Sequence, residues 1–128
     1  MGIYQPWYCD VISQPTFMAL ERIEYGGNGM QILLREVAGE KRLICLRFID
    51  LPMAVRISNE SQRLESLREL PKGTRNSLYV VSQSTFLSWL HEESLQIYKD
   101  DPLFHLAIVM DEWIDIICNE LPSVVIAK

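Results

Sequence analysis

Histidine occurs only twice in the 128 residues, and cysteine three times, at positions 9, 45 and 118 with no CxxC pair. No spacing matches HExxH, an EF-hand loop or a Cys/His zinc pattern, so the chain carries no recognised metal signature and no cofactor is expected. Unpaired, widely spaced thiols fit a reducing cytosol better than a disulfide framework. Long apolar runs are missing as well: stretches such as Leu106–Met110 fall far short of the roughly 18–20 residues of a membrane span. The opening MGIYQPWYCD has neither the basic start nor the apolar middle of a secretory leader, and Pro6 stands where a myristoylation signal needs Ser or Thr. The expectation is a cytoplasmic chain that does not engage a membrane.

Positive charge is scarce in one part of the molecule. Residues 1–88 hold ten basic and nine acidic side chains, whereas 89–128 hold two basic, Lys99 and Lys128, and eight acidic. The net charge is −5, which argues against general nucleic-acid binding, since that needs a basic surface to displace counterions. The acidity belongs to the last third of the chain.

What is present is an ordinary globular composition, 48% apolar and 23% charged, with enough length for one hydrophobic core. TFMALERIEY, MQILLREV and RLICLRF read as three strands of a meander over 16–48, joined by Gly26-Gly27-Asn28-Gly29 and Ala38-Gly39-Glu40-Lys41. Asp50-Leu51-Pro52 interrupts pairing, and MAVRIS (53–58) follows as a short strand. Over 58–70 the spacing of Leu64, Leu67 and Leu70 predicts a helix of two or three turns ended by Pro71, with an exposed strand or a long loop as the alternative. LYVVS reads as a central strand. SQSTFLSWLHEESLQIY gives the clearest helix, over 84–95, with Ser84 as cap and Phe86, Leu87 and Leu90 on the inner side.

Residues 104–126 admit two readings. A helix over 110–121 would place Asp111, Glu112, Asp115, Asn119 and Glu120 opposite an apolar stripe. Alternatively, Phe104–Met110 and Trp113–Cys118 are strands around an Asp111-Glu112 turn, followed by a last strand SVVIA; the wealth of isoleucine and valine favours this one. The expected architecture is therefore a single α+β domain over 1–128: a mainly antiparallel curved sheet or sandwich of about seven strands with one or two helices. Ile32, Leu34, Ile44, Leu46, Leu106, Ile108, Ile114 and Ile116 are among the expected core residues.

Candidate chemistry is thin. His105 with Asp111, Glu112 and Asp115 has metal-ligand residue types without metal-ligand spacing, and a structural histidine is the favoured reading. Cys9, His91 or His105 beside a carboxylate would suit nucleophilic or acid–base catalysis, but no cysteine stands in an activating context. The glycine-rich GGNG joins two strands and lacks the Walker lysine, so it reads as a turn rather than a phosphate cradle. A binding surface is the stronger candidate. Glu92, Glu93, Asp100, Asp101, Asp111, Glu112 and Asp115 form the candidate partner-binding set, able to steer a basic partner by long-range attraction. Trp7, Tyr8, Trp89 and Trp113 are candidate anchors or core residues.

LYVVSQSTFLSWLHEES followed by FHLAIVMDEWIDIICNELPSVV resembles small bacterial immunity proteins of polymorphic or contact-dependent toxin systems: a strand, a helix with a Ser-x-x-x-x-Trp-Leu pattern, a histidine-led strand, then a D-E-W-I-D strand ending near proline. The likeness covers roughly the last 50 residues and brings no catalytic signature. It implies a non-enzymatic protein that binds a cognate toxin domain, itself expected to be basic, and blocks its active site. A small enzyme with a site near His105 and Asp115, and a subunit that self-associates through an edge strand, are the alternatives of different class.

Overall fold

In the computed structural model, which describes residues 2–27, 29–73 and 75–127, alternating apolar residues build two antiparallel sheets. The strands are β1 (Ile3–Pro6), β2 (Met18–Gly26), β3 (Gly29–Glu36), β4 (Leu43–Phe48), β5 (Ala54–Asn59), β6 (Leu78–Ser82), β7 (Phe104–Val109), β8 (Glu112–Cys118) and β9 (Ser123–Ala127). They form a five-stranded sheet in the order β1-β6-β7-β8-β5 and a four-stranded sheet in the order β2-β3-β4-β9. With two helices, α1 (Leu64–Leu67) and α2 (Thr85–Glu93), the α+β class is as expected, with nine strands among the described residues instead of about seven.

The sheets pack face to face. Met18, Met30, Ile32, Leu34, Ile44, Leu46 and Phe48 from one meet Leu78, Leu106, Ile108, Ile114, Ile116 and Cys118 from the other in the main core. Each set is every second residue of its strand, as a two-sheet core requires. Residues 104–118 are a hairpin rather than a helix: Val109 pairs with Trp113 and Phe104 with Cys118, and the Met110 amide donates to the Glu112 carbonyl across the turn.

Gly29 is fixed in kind. Its φ of +142° is strained for a side chain, and a Cβ built there would lie 2.5 Å from the Phe48 carbonyl oxygen. The GGNG stretch therefore joins β2 to β3 as a turn, with Asn28 outside the described residues. Gly29→Ala is expected to cost about 1–3 kcal/mol of stability, read as a lower urea midpoint.

The 58–70 segment departs from its expected helix. A 3-10 turn at Glu60–Gln62 is followed by the single-turn α1. Arg63, between them, has φ −125° and ψ 35°, and its side chain is drawn onto β8 rather than projecting from a continuous helix. Leu67 and Leu70 pack on the outer face of the five-stranded sheet while Leu64 stays exposed. That outer face is thus covered by α1 and its flanks at one end and by α2 at the other.

Candidate functional site

The register of β5, β7 and β8 places polar side chains in the middle of this covered face. Arg56 pairs with Asp115 across β5 and β8, and His105 pairs with Ile117 across β7 and β8, leaving His105 diagonal to Asp115 on the same side. Diagonal neighbours in a sheet are close enough for such side chains to meet. His105 Nε2 lies 2.7 Å from Asp115 Oδ1, and Ser84 Oγ lies 2.6 Å from His105 Nδ1. Asp115 is fully buried, and His105 and Ser84 are nearly so.

Asp115 is saturated by donors. Its Oδ1 also accepts from Trp113 Nε1–H at 3.2 Å. Its Oδ2 accepts from Arg63 Nη1 at 2.6 Å and from Arg56 Nη2 and Nε at 2.8 and 3.1 Å. The guanidinium groups are themselves seated, Arg63 over the Trp113 ring at 4.7 Å and Arg56 over the Phe86 ring at 4.3 Å. Arg63 donates further to the hydroxyls of Ser58 and Ser66. Burial alone would raise the Asp115 carboxyl, but the hydrogen bonds from His105, Arg63 and Arg56 outweigh it and hold the group well below the usual carboxylate range.

Because an ionised carboxylate only accepts, Nε2 of His105 carries the hydrogen in that pair. In the neutral ring Nδ1 then accepts from the Ser84 hydroxyl. Ser84 Oγ also accepts the Leu87 amide hydrogen at 3.0 Å as the cap of α2. Serine, histidine and aspartate in a chain have the residue types of a hydrolase relay, though with the ring nitrogens exchanged relative to the common arrangement. As the molecule stands, the trio fixes a helix to a sheet. Its hydroxyl is buried and engaged on both sides, and the roomier surface grooves lie elsewhere. One of about 520 Å³ is lined by residues including Phe17, Glu36 and Arg75, and one of about 410 Å³ by Tyr25, Gln31 and Arg47 among others.

The acidic candidates are divided by the fold. Glu92, Glu93, Asp100 and Asp101 are exposed at the C-terminal end of α2 and in the turns after it. Asp111 is exposed and Glu112 half-buried at the β7–β8 turn. α2 packs on Ile117, so the two groups are separated by roughly 17 Å of strand at ~3.4 Å per residue. Asp115 does not belong with them. Its carboxylate is buried beneath Arg56 and Arg63, so the expected partner-binding role is corrected to a structural one. His105 is buried in the same network, between Ser84 and Asp115, and no cluster of three potential ligands able to hold a metal ion occurs among the described residues.

Of the aromatic candidates, Trp113 is core, Trp7 packs partly on the core, and Tyr8 and Trp89 are substantially exposed. All three cysteines are free. Burial pushes the Cys118 thiol up to about 11, which leaves it unreactive at neutral pH.

His105 is the partner of Asp115 that the sequence reading sets beside it; Arg56 and Arg63 escape that reading because they arrive from β5 and the 60–67 segment. One signal was available. β8 is apolar on both faces, with Trp113 and Ile117 on one and Ile114, Ile116 and Cys118 on the other, so a lone aspartate within it has nowhere wet to point.

A pH dependence follows. Asp115 and Glu36 both have carboxyls held down in the folded state, Glu36 chiefly by its hydrogen bond from Arg42. Their stabilisation is present above the unfolded carboxyl pKa of about 4 and is lost as pH falls below it. Thermal melts should therefore show a Tm that declines steeply below about pH 5, and Asp115→Asn should flatten that decline. Against family models, curated proteins and solved structures, the chain finds no match.

Proposed function

We propose that the chain is a non-enzymatic, immunity-type protein that binds and neutralises a cognate toxin domain through the α2 end of its five-stranded sheet. The observation that carries this reading is the segment from Trp89 to Asp101. Trp89, Leu95 and Ile97 are exposed there, Leu95 at 85%, among Glu92, Glu93, Asp100 and Asp101, with Lys99 the one lysine or arginine in that segment. Apolar anchors within an acidic rim suit a basic protein partner, the carboxylates steering encounter and the large side chains supplying contact.

Local backbone strain supports the same place. Leu95 and Gln96 both have positive φ, 54° and 66°, a conformation that is unfavourable for residues with side chains. Successive tight turns hold them outward, including the Gln96 amide donating to the His91 carbonyl. The resemblance of residues 78–94 and 104–125 to immunity proteins, and the absence of an accessible nucleophile at Ser84, favour inhibition over catalysis.

Host protection against the product of the neighbouring reading frame tests the reading. Glu92→Lys with Glu93→Lys should slow association by at least about tenfold at low salt and abolish most of its salt dependence. The pair Asp111→Lys and Glu112→Lys, reversed separately, reports whether the distant turn contributes. Undiminished protection in both variants would overturn the acidic-surface proposal. An activity lost in a folded His105→Ala variant would instead support the enzyme alternative.

A further inference from the structure

The two lateral flanks of the sandwich are finished differently. On the β1/β2 side, the chain between those strands closes the gap: Ile12 is buried, and Trp7, Cys9 and Val11 pack against the main core. Hydrogen bonds pin this cover, from the Trp7 amide to the Leu78 carbonyl, from the Thr16 amide to Asn76 Oδ1 and from the Met18 amide to Ser77 Oγ.

Among the described residues the opposite flank has a thinner cover, with Val55, Leu121 and Val124 packed on the main core. β5 ends one sheet and β9 ends the other, and both edges lie on this side because the β4–β5 and β8–β9 connections line one shared recess. Ile57 pairs with inward-facing Ile114, and Ile126 with inward-facing Ile44. Both isoleucines therefore point into the sandwich, yet they are 53% and 51% exposed. The margin of the sandwich is exposed here, while Ile44 and Ile114 beside it stay buried.

Nor is the edge defended. β9, Ser-Val-Val-Ile-Ala, has no charge, proline or bulge, the usual devices that keep an edge strand from pairing. β5 has one charge, Arg56, which is turned to the outer face and tied to Asp115.

We propose that a second copy of this chain covers this flank, β9 pairing antiparallel with its own counterpart about a two-fold axis that also brings the two β5 edges together. The hydrogen-bonding groups of an open edge call for a strand, and a single foreign strand would satisfy only one of the two. Another copy presents two edges at the same separation, about 10 Å for packed sheets. A two-fold axis running through both sheets extends each of them at once and buries Ile57 and Ile126 against their symmetry mates. This surface is distinct from the acidic α2 end, and its test is independent of any toxin.

Sedimentation of the intact protein from micromolar to near-millimolar concentration is expected to show reversible association to twice the 14.8 kDa chain mass. Ile126→Lys should weaken that association by at least about a hundredfold, since an inward-pointing charge at the edge would be buried without a partner. If this variant fails to fold, hydrogen exchange of the wild-type β9 amides gives the answer. Protection that grows with protein concentration supports the dimer, and protection that does not change overturns it. A chain that stays monomeric throughout, or an Ile126→Lys variant that folds and dimerises as before, also overturns it; the monomer outcome would leave the flank to a foreign strand.

Discussion

Asp115→Ala is expected to lower the free energy of unfolding by about 3–5 kcal/mol at neutral pH, measured by urea denaturation. The alanine removes one carboxylate but strands several donors. Arg63, only 13% exposed at its side chain, would keep its charge with hydroxyls as its remaining acceptors, and His105 Nε2–H and Trp113 Nε1–H would face a small void. The penalty comes from what is left behind more than from the net worth of the ion pairs, because a buried charge deprived of its partner is far costlier than an exposed one. A loss below about 1 kcal/mol would mean that these contacts behave like surface salt bridges and that water reaches the network. Removing donors and acceptor together should be much milder. An Asp115→Leu chain that also replaces Arg63 by methionine and His105 by phenylalanine is expected to recover most of the lost stability while keeping the fold.

Trp113→Ala should be of similar size, about 3–5 kcal/mol, for a different reason. The indole is fully buried. The Tyr4 ring meets it edge-on at 5.9 Å, and the Arg63 guanidinium lies over it. Truncation opens a cavity and removes the surface on which Arg63 rests. Since Trp113 and Asp115 share Arg63, their effects should not add: the double variant is expected to lose less than the two single losses combined. Additive losses in a double-mutant cycle would show that the ring and the carboxylate hold Arg63 independently. The 60–67 segment should also exchange its amide hydrogens faster in either single variant, because Arg63 is one of its ties to β8, beside the packing of Leu67.

Much of the framework was legible in the sequence, for reasons that are local. Met18–Gly26, Gly29–Glu36 and Leu43–Phe48 lie in apolar-rich runs of strand length between turn-forming stretches, and α2 has Ser84 to cap it and Phe86 and Leu90 at helical spacing. β1 was not legible, since a four-residue edge strand ending in proline lacks the length and alternation that mark a strand. The fate of Asp115 was hidden for another reason. A carboxylate in a strand reads as exposed until one knows what lies above the sheet, and its lid is built from Arg63 and Arg56, 52 and 59 residues earlier. The acidic residues around α2 kept their expected exposure because a helix end and its turns cannot easily be roofed over.

The placement of β9 beside β4 has a consequence for how the molecule is made. Their partners, such as Ile44 with Ile126 and Leu46 with Val124, stand roughly 80 residues apart, and so long a loop must lose its freedom before any contact rewards it. The β2–β3–β4 meander can assemble early from neighbours in sequence, while β4 waits with one side unpaired until residues 123–127 arrive. Folding limited by that late closure belongs to the slow, millisecond-to-second regime of sandwich topologies. During the wait, Ile44, Cys45 and Leu46 offer a second nascent chain the same seat that β9 will take, so crowding at synthesis, more than heat, is the hazard this topology creates.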